Sequence, residues 1–179
     1  MSDFLMVIDM QPGFGHRDSP WCTPGYDICA DRIAALAEGF GAQAVFTRFV
    51  PPAEPSGAWR PYYERWRFAL DPEQAWLWDL DPRFAGHPSV AGHRFAKWRE
   101  ARALVPEDAT LVICGVATDC CVLGTAVEAV DDGRHVRLVT DACAAGTPAL
   151  HEAALAVMAD RAPMLTLTDC ANELARLRG

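Results

Sequence analysis

Apolar residues along the chain fall into two rhythms. Short runs rich in Val, Ile, Leu and Phe recur at residues 4–8, 43–49, 110–115, 135–140 and 164–168. Runs of this length with little polar alternation predict strands buried on both faces of a sheet. Between them the period lengthens. Residues 27–40 place Ile28, Ile33, Ala34, Leu36, Ala37 and Phe40 at helical spacing, with Asp27 as the expected N-cap. Residues 118–130 read as a helix on Val122, Leu123, Ala126, Val127 and Val130, ended by Asp131-Asp132-Gly133. A further helix spans 148–160, with Thr147 as cap and Pro148 in its first turn, and a last one spans 169–177. Strands alternating with helices require parallel pairing through right-handed crossovers. The pattern predicts an α/β fold: one doubly wound three-layer α/β/α domain over residues 1–179, with a mainly parallel sheet of about six strands.

Residues 51–88 break the rhythm with seven prolines: Pro51, Pro52, Pro55, Pro61, Pro72, Pro82 and Pro88. Five of the six tryptophans and two of the three tyrosines lie between 59 and 98. So long a connection in a compact domain is functional or disordered, and its ring content argues against disorder. Its aromatics line a pocket, pad the core or face a second copy of the chain.

Composition narrows the function. Of 179 residues, 51% are hydrophobic, enough for a sizeable core. The formal net charge of -8 and the lack of a basic run disfavour nucleic acid and anionic membranes as partners. No apolar stretch approaches the length of a membrane span, and the N-terminus does not read as a signal peptide. Seven cysteines, an odd number without a C-x-x-C pair, suit a reduced, cytoplasmic protein better than a disulfide framework or a zinc cluster.

Ligands of doubly wound sheets bind at the carboxyl ends of strands. Three features are expected there: Asp9, the Gly115-Val116-Ala117-Thr118 turn, and Asp141. The turn leads into Asp119-Cys120-Cys121, so a thiol falls in the first turn of a helix. The helix dipole there favours the thiolate, and free backbone N–H groups can hold an oxyanion. From position alone, Cys120 and Cys121 are either candidate nucleophiles or small core residues. Asp9, directly after an apolar run, is either a general base or a turn acid. The chain carries fifteen arginines and a single lysine, Lys97. That lysine is a chance survivor on the surface, or an amine doing what an arginine cannot.

Taken together, Phe4-Leu5-Met6-Val7-Ile8-Asp9-Met10-Gln11, Gly115-Val116-Ala117-Thr118-Asp119-Cys120-Cys121-Val122, Thr125-Ala126, Val139-Thr140-Asp141-Ala142-Cys143 and His151-Glu152-Ala153-Ala154-Leu155 resemble the isochorismatase-like cysteine hydrolases. That family includes nicotinamidases and N-carbamoylsarcosine amidase-like enzymes. The resemblance implies a catalytic set of Asp9, Lys97 and Cys121, with Cys121 as nucleophile because it directly precedes Val122. It also implies a cis peptide between Val116 and Ala117, and an oxyanion held by the amides of Ala117 and Cys121. The implied reaction is hydrolysis of a C–N bond in a small amide-type substrate through a thioester, by an enzyme that assembles as a dimer or tetramer.

The chain departs from the family pattern twice. Many members carry lysine three residues before an aromatic; here Gly92 stands there, and Phe95-Ala96-Lys97-Trp98 supplies the amine instead. Metal-dependent members carry a D-x-H pair after the second strand; here Arg48-Phe49-Val50-Pro51-Pro52 follows, and His87 and His93 do not replace it. No metal and no cofactor are therefore expected. Phe14, Arg48, Trp59, Tyr62, Tyr63 and Trp66 are the expected substrate-binding residues, with Arg60 as an alternative to Arg48 for a substrate carboxylate. The competing readings are a vinyl-ether hydrolase of the isochorismatase type, a non-catalytic binding protein of the same fold, and a redox role for Cys120 and Cys121.

Overall fold

A computed structural model describes residues 2–178; the two terminal residues, which the single-domain reading also takes in, lie outside them. Six strands form one sheet: β1 (Asp3–Ile8), β2 (Ala44–Phe49), β3 (Ser89–Gly92), β4 (Thr110–Val116), β5 (Val136–Ala144) and β6 (Leu165–Thr168). Their order is β3-β2-β1-β4-β5-β6, and every pairing is parallel. Among the described residues seven α-helices accompany them: α1 (Pro12–Gly15), α2 (Tyr26–Phe40), α3 (Trp59–Arg65), α4 (Trp98–Ala101), α5 (Leu123–Asp131), α6 (Pro148–Ala159) and α7 (Cys170–Arg176). α2 and α7 pack on one face of the sheet, and α4, α5 and α6 sit together on the other.

The central strands are buried along almost their whole length, as their unbroken apolar runs require, while edge strand β6 exposes Thr166 and Leu167. Strand order reverses between β1 and β4, where Ile8 lies opposite Gly115. The two backbones come very close there. A Cβ on Gly115 would overlap the Ile8 carbonyl oxygen and lie 2.7 Å from the Ile8 nitrogen, and Gly115 holds φ at +120°. Glycine is needed on both grounds. The crevice opened by this reversal is where ligands are expected in such a sheet.

Thr147 accepts from the Leu150 N–H, and Asp169 caps α7 by accepting from the Asn172 N–H. Asp27 is not the cap of α2. Gly25, with φ of 82°, takes that place, and Asp27 lies in the first turn, where its charge suits the helix dipole. β5 runs four residues beyond the expected Thr140, because it bulges between Leu138 and Cys143 and then pairs again with β4. The proline-rich connection is ordered as α3 and three 3-10 helices (Arg67–Leu70, Pro72–Trp78 and Pro82–Phe84). Asp71 and Asp81 cap the last two by accepting from the backbone N–H of Glu73 and Arg83. No helix among the described residues is long and apolar enough to cross a membrane.

Candidate active site

Asp9 is the first residue beyond β1. The chain turns there through a left-handed conformation, φ 49°, which aspartate tolerates better than most residues. Its carboxylate is fully buried and held on both oxygens. The Thr47 hydroxyl donates to Oδ1 at 2.6 Å and accepts from the Asp9 N–H at 3.2 Å. The Lys97 ammonium donates to Oδ2 at 2.8 Å. Thr47 lies on β2, the neighbour of β1, so pairing of the strands brings the hydroxyl to the carboxylate.

Lys97 is as buried as Asp9. Its other two protons go to the carbonyls of Arg94 at 2.6 Å and Phe95 at 3.0 Å. Three acceptors around one nitrogen match an ammonium, which has three donors and no lone pair. The Phe49 ring lies 5.2 Å from the nitrogen. Burial alone would push this amine down, but the Asp9 carboxylate, then Cys121 and the hydrogen bond to Asp9, hold it above the usual lysine value. The backbone also ties the lysine to the cysteine. The Lys97 N–H donates to Thr125 Oγ1 at 2.9 Å, and that hydroxyl donates to the Cys121 carbonyl at 2.6 Å.

Cys121 sits in a wide π-helical turn, Thr118–Val122, which precedes α5. The peptide between Val116 and Ala117 is cis, as the family resemblance implies. The Ala117 carbonyl accepts from the N–H groups of Cys120 at 3.0 Å and Val122 at 3.1 Å, the residues on either side of Cys121. The shift at Cys121 runs opposite to the one expected from a helix N-terminus. Interaction between the adjacent thiols holds Cys120 below and Cys121 above the usual thiol value; burial and the Asp9 carboxylate push Cys121 further up, against the pull of Lys97.

Cys121 lies in the wall of a cavity of about 470 Å³, with Ala117, Asp119 and Cys120 beside it and the rings of Phe14, Trp21, Phe49, Tyr62, Trp66 and Phe95 around it. Trp21 is the hub of these rings. Its centroid lies 5.9 Å from those of Phe49, Tyr62 and Trp66, and 6.1 Å from that of Phe14. Fully buried Gln11 braces the same corner. Its Nε2 donates to the carbonyls of Phe49 at 3.0 Å and Trp78 at 2.7 Å, and its Oε1 accepts from the Phe49 N–H at 2.7 Å.

Of the expected substrate-binding residues, Phe14, Tyr62 and Trp66 line this cavity, whereas Trp59, Tyr63 and Arg48 do not. The helical period explains the first two. Tyr62 lies on one side of α3 and Trp66 directly follows the helix, its N–H donating to the Tyr62 carbonyl at 3.0 Å, while Trp59 and Tyr63 share another side, stacked 5.9 Å apart with Tyr63 in the core. Arg48 alternates with Thr47 and Phe49 along β2, so it leaves the cavity, reaches the Trp78 carbonyl at 3.3 Å and faces Asp79 at 3.7 Å. Arg60 is exposed and donates to the Pro55 carbonyl at 3.3 Å. His87 packs on the Phe46 ring and His93 against Trp59. Thr47, Gln11, Trp21, Phe49, Phe95 and Asp119 escaped the reading of sequence. Only Trp21, a bulky ring in a Pro-flanked loop between a strand and a helix, carried a local signal.

Comparison with known proteins bears on the same segments. A search of curated proteins finds no match. Among solved structures, a cysteine hydrolase from Pseudomonas syringae pv. phaseolicola 1448A superposes with a TM-score of 0.82 at 17% identity, over 98% of this chain and 92% of the other. An isochorismatase family protein from Desulfovibrio vulgaris subsp. vulgaris str. Hildenborough gives a TM-score of 0.75 at 24% identity, over 99% of both chains. An isochorismatase-like hydrolase from Alkaliphilus metalliredigens gives 0.74 at 17% identity, over 98% of this chain and 99% of the other. At these identities the likeness is one of fold. The sequence itself goes further: the family model for the isochorismatase domain matches residues 3–170, which include Asp9, Lys97 and Cys121. By that match the chain belongs to the isochorismatase family of hydrolases.

Proposed function

We propose that the chain is a cysteine-dependent amidohydrolase that cleaves a C–N bond of a small amide through a thioester. The observation that carries the reading is the fully buried ion pair of Asp9 and Lys97, whose charges both act on the thiol of Cys121 in the cavity wall. Burial without such a pair would leave Cys121 an inert core thiol.

In the first half-reaction, Asp9 takes the Cys121 proton and the sulfur adds to the amide carbonyl carbon. The negative charge that develops on the carbonyl oxygen is held by the N–H groups of Ala117 and Cys121. Asp9 gives its proton to the nitrogen as the C–N bond breaks, and the amine leaves. Water, losing a proton to Asp9, then adds to the thioester carbon. The C–S bond breaks, the acid departs, and the proton returns to sulfur. Throughout, Lys97 stays an ammonium and keeps Asp9 oriented, while Thr47 holds the other carboxylate oxygen.

A screen of primary and secondary amides, read by amine release, tests the reading. A turned-over amide should leave an acyl mass on the peptide containing Cys121, and hydroxylamine should divert it to the hydroxamate. Replacing Cys121 by Ala should abolish both. Turnover retained in that variant, or an acyl group on another residue, would remove Cys121 from the chemistry.

A further inference from the structure

The cavity wall is uneven in charge. Six rings line it, and the ionisable side chains there are Asp119, three thiols and the Tyr62 phenol, none of them a source of positive charge; among the described residues no arginine, lysine or histidine joins them. Behind the wall, Asp9 and Lys97 neutralise each other. Asp119 has no such counterpart. Its Oδ1 is buried and has no hydrogen-bond partner among the described residues. Asp119 is only partly buried, and a carboxylate partly taken out of water without a partner loses hydration, which a cation brought by a ligand offsets. Aromatic rings attract cations as well, through the negative charge of their faces. A substrate carboxylate would meet the opposite: a fixed negative charge and no donor of positive charge.

We infer that the ligand of this cavity carries a positively charged nitrogen, an amidinium or protonated amine, seated against Asp119 within the ring of aromatic side chains. The inference rests on the amidohydrolase reading only for the chemistry at the carbonyl; recognition of the cation is independent of it. A cavity of about 470 Å³ suits a small molecule of this kind rather than a peptide chain.

Benzamidine, benzamide and benzoate share one planar skeleton and differ in charge, which makes them suitable probes. Titration calorimetry on the Cys121→Ala protein, which cannot turn them over, is expected to rank benzamidine above benzamide by about tenfold, with benzoate weakest. Asp119→Asn, added to that protein, should erase the gap between benzamidine and benzamide while leaving benzamide binding in place. Equal or tighter binding of benzamide or benzoate, or no binding of any of the three, overturns the inference. So does a gap that survives in a folded Asp119→Asn protein, which would put the amidinium elsewhere. The first comparison needs no change at Asp119, so it decides even if that variant does not fold. Failure of the amide screen alongside a clear preference for benzamidine would remove the amidohydrolase reading and leave the cation site standing.

Discussion

Three protein acceptors surround the Lys97 nitrogen, so the residue is held in place by geometry as well as charge. Lys97→Met would leave the Asp9 carboxylate buried and unpaired, at a cost of about 3–5 kcal/mol in urea unfolding, with loss of turnover. Lys97→Arg keeps the charge but spreads its donors over a planar fork that cannot meet three acceptors about one point. Its activity is expected to fall nearly as far, and activity retained in that variant would show that charge alone suffices. The pair also has a pH signature. The folded-state value of Lys97 lies above the unfolded one, so its stabilisation is whole below about pH 10.4 and lost as pH rises through the folded value. Thr47→Val removes a bond to Asp9 and should cost about 1–3 kcal/mol, read the same way. At this scale the sequence marked Asp9 and Cys121 as candidates because each follows an apolar strand-like run, and Lys97 as the only lysine, and the family resemblance then selected all three. The sequence did not mark Thr47 or Gln11. Both look like ordinary polar residues until β1 and β2 are paired and the 3-10 segment folds back against them.

At the level of elements, the crossing of β1 and β4 depends on one missing side chain. Gly115→Ala would set a methyl group against the Ile8 backbone at a φ that alanine avoids. The two strands carry Asp9 and the Cys121 turn, so the variant is expected to yield little folded protein, monitored by circular dichroism and soluble expression. A Gly133→Ala variant, at φ 84° but with open space around it, should fold and lose only about 1 kcal/mol. The central strands and long helices were legible from period and caps. β3 was not, since its four residues follow Pro88 at a sheet edge and alternate only weakly in burial. The role of each ring on α3 was hidden for a related reason: four aromatics in eight residues show no face until the helix is recognised as one.

For the whole molecule, buried thiols couple stability to pH. Burial pushes Cys29 and Cys170 up to about 12, and Cys114 and Cys143 well above the usual thiol value. Unfolded thiols ionise near pH 8.5, so above that the unfolded chain sheds protons that the native one keeps, and stability falls as pH rises. In urea melts between pH 7 and 10 under reducing conditions, the profile is expected to be nearly flat below about pH 8.5 and to approach a slope of about 1.4 kcal/mol per pH unit for each such thiol above it. A flat profile would mean that these thiols ionise as readily in the native protein. The single lysine has a further consequence at this scale. Lys97 is 0% exposed, so acylating reagents that attack primary amines find no side chain to modify on the native surface. Acylation of Lys97, read by mass on the peptide between Arg94 and Arg99, would report each opening of the fold that bares the Asp9–Lys97 pair.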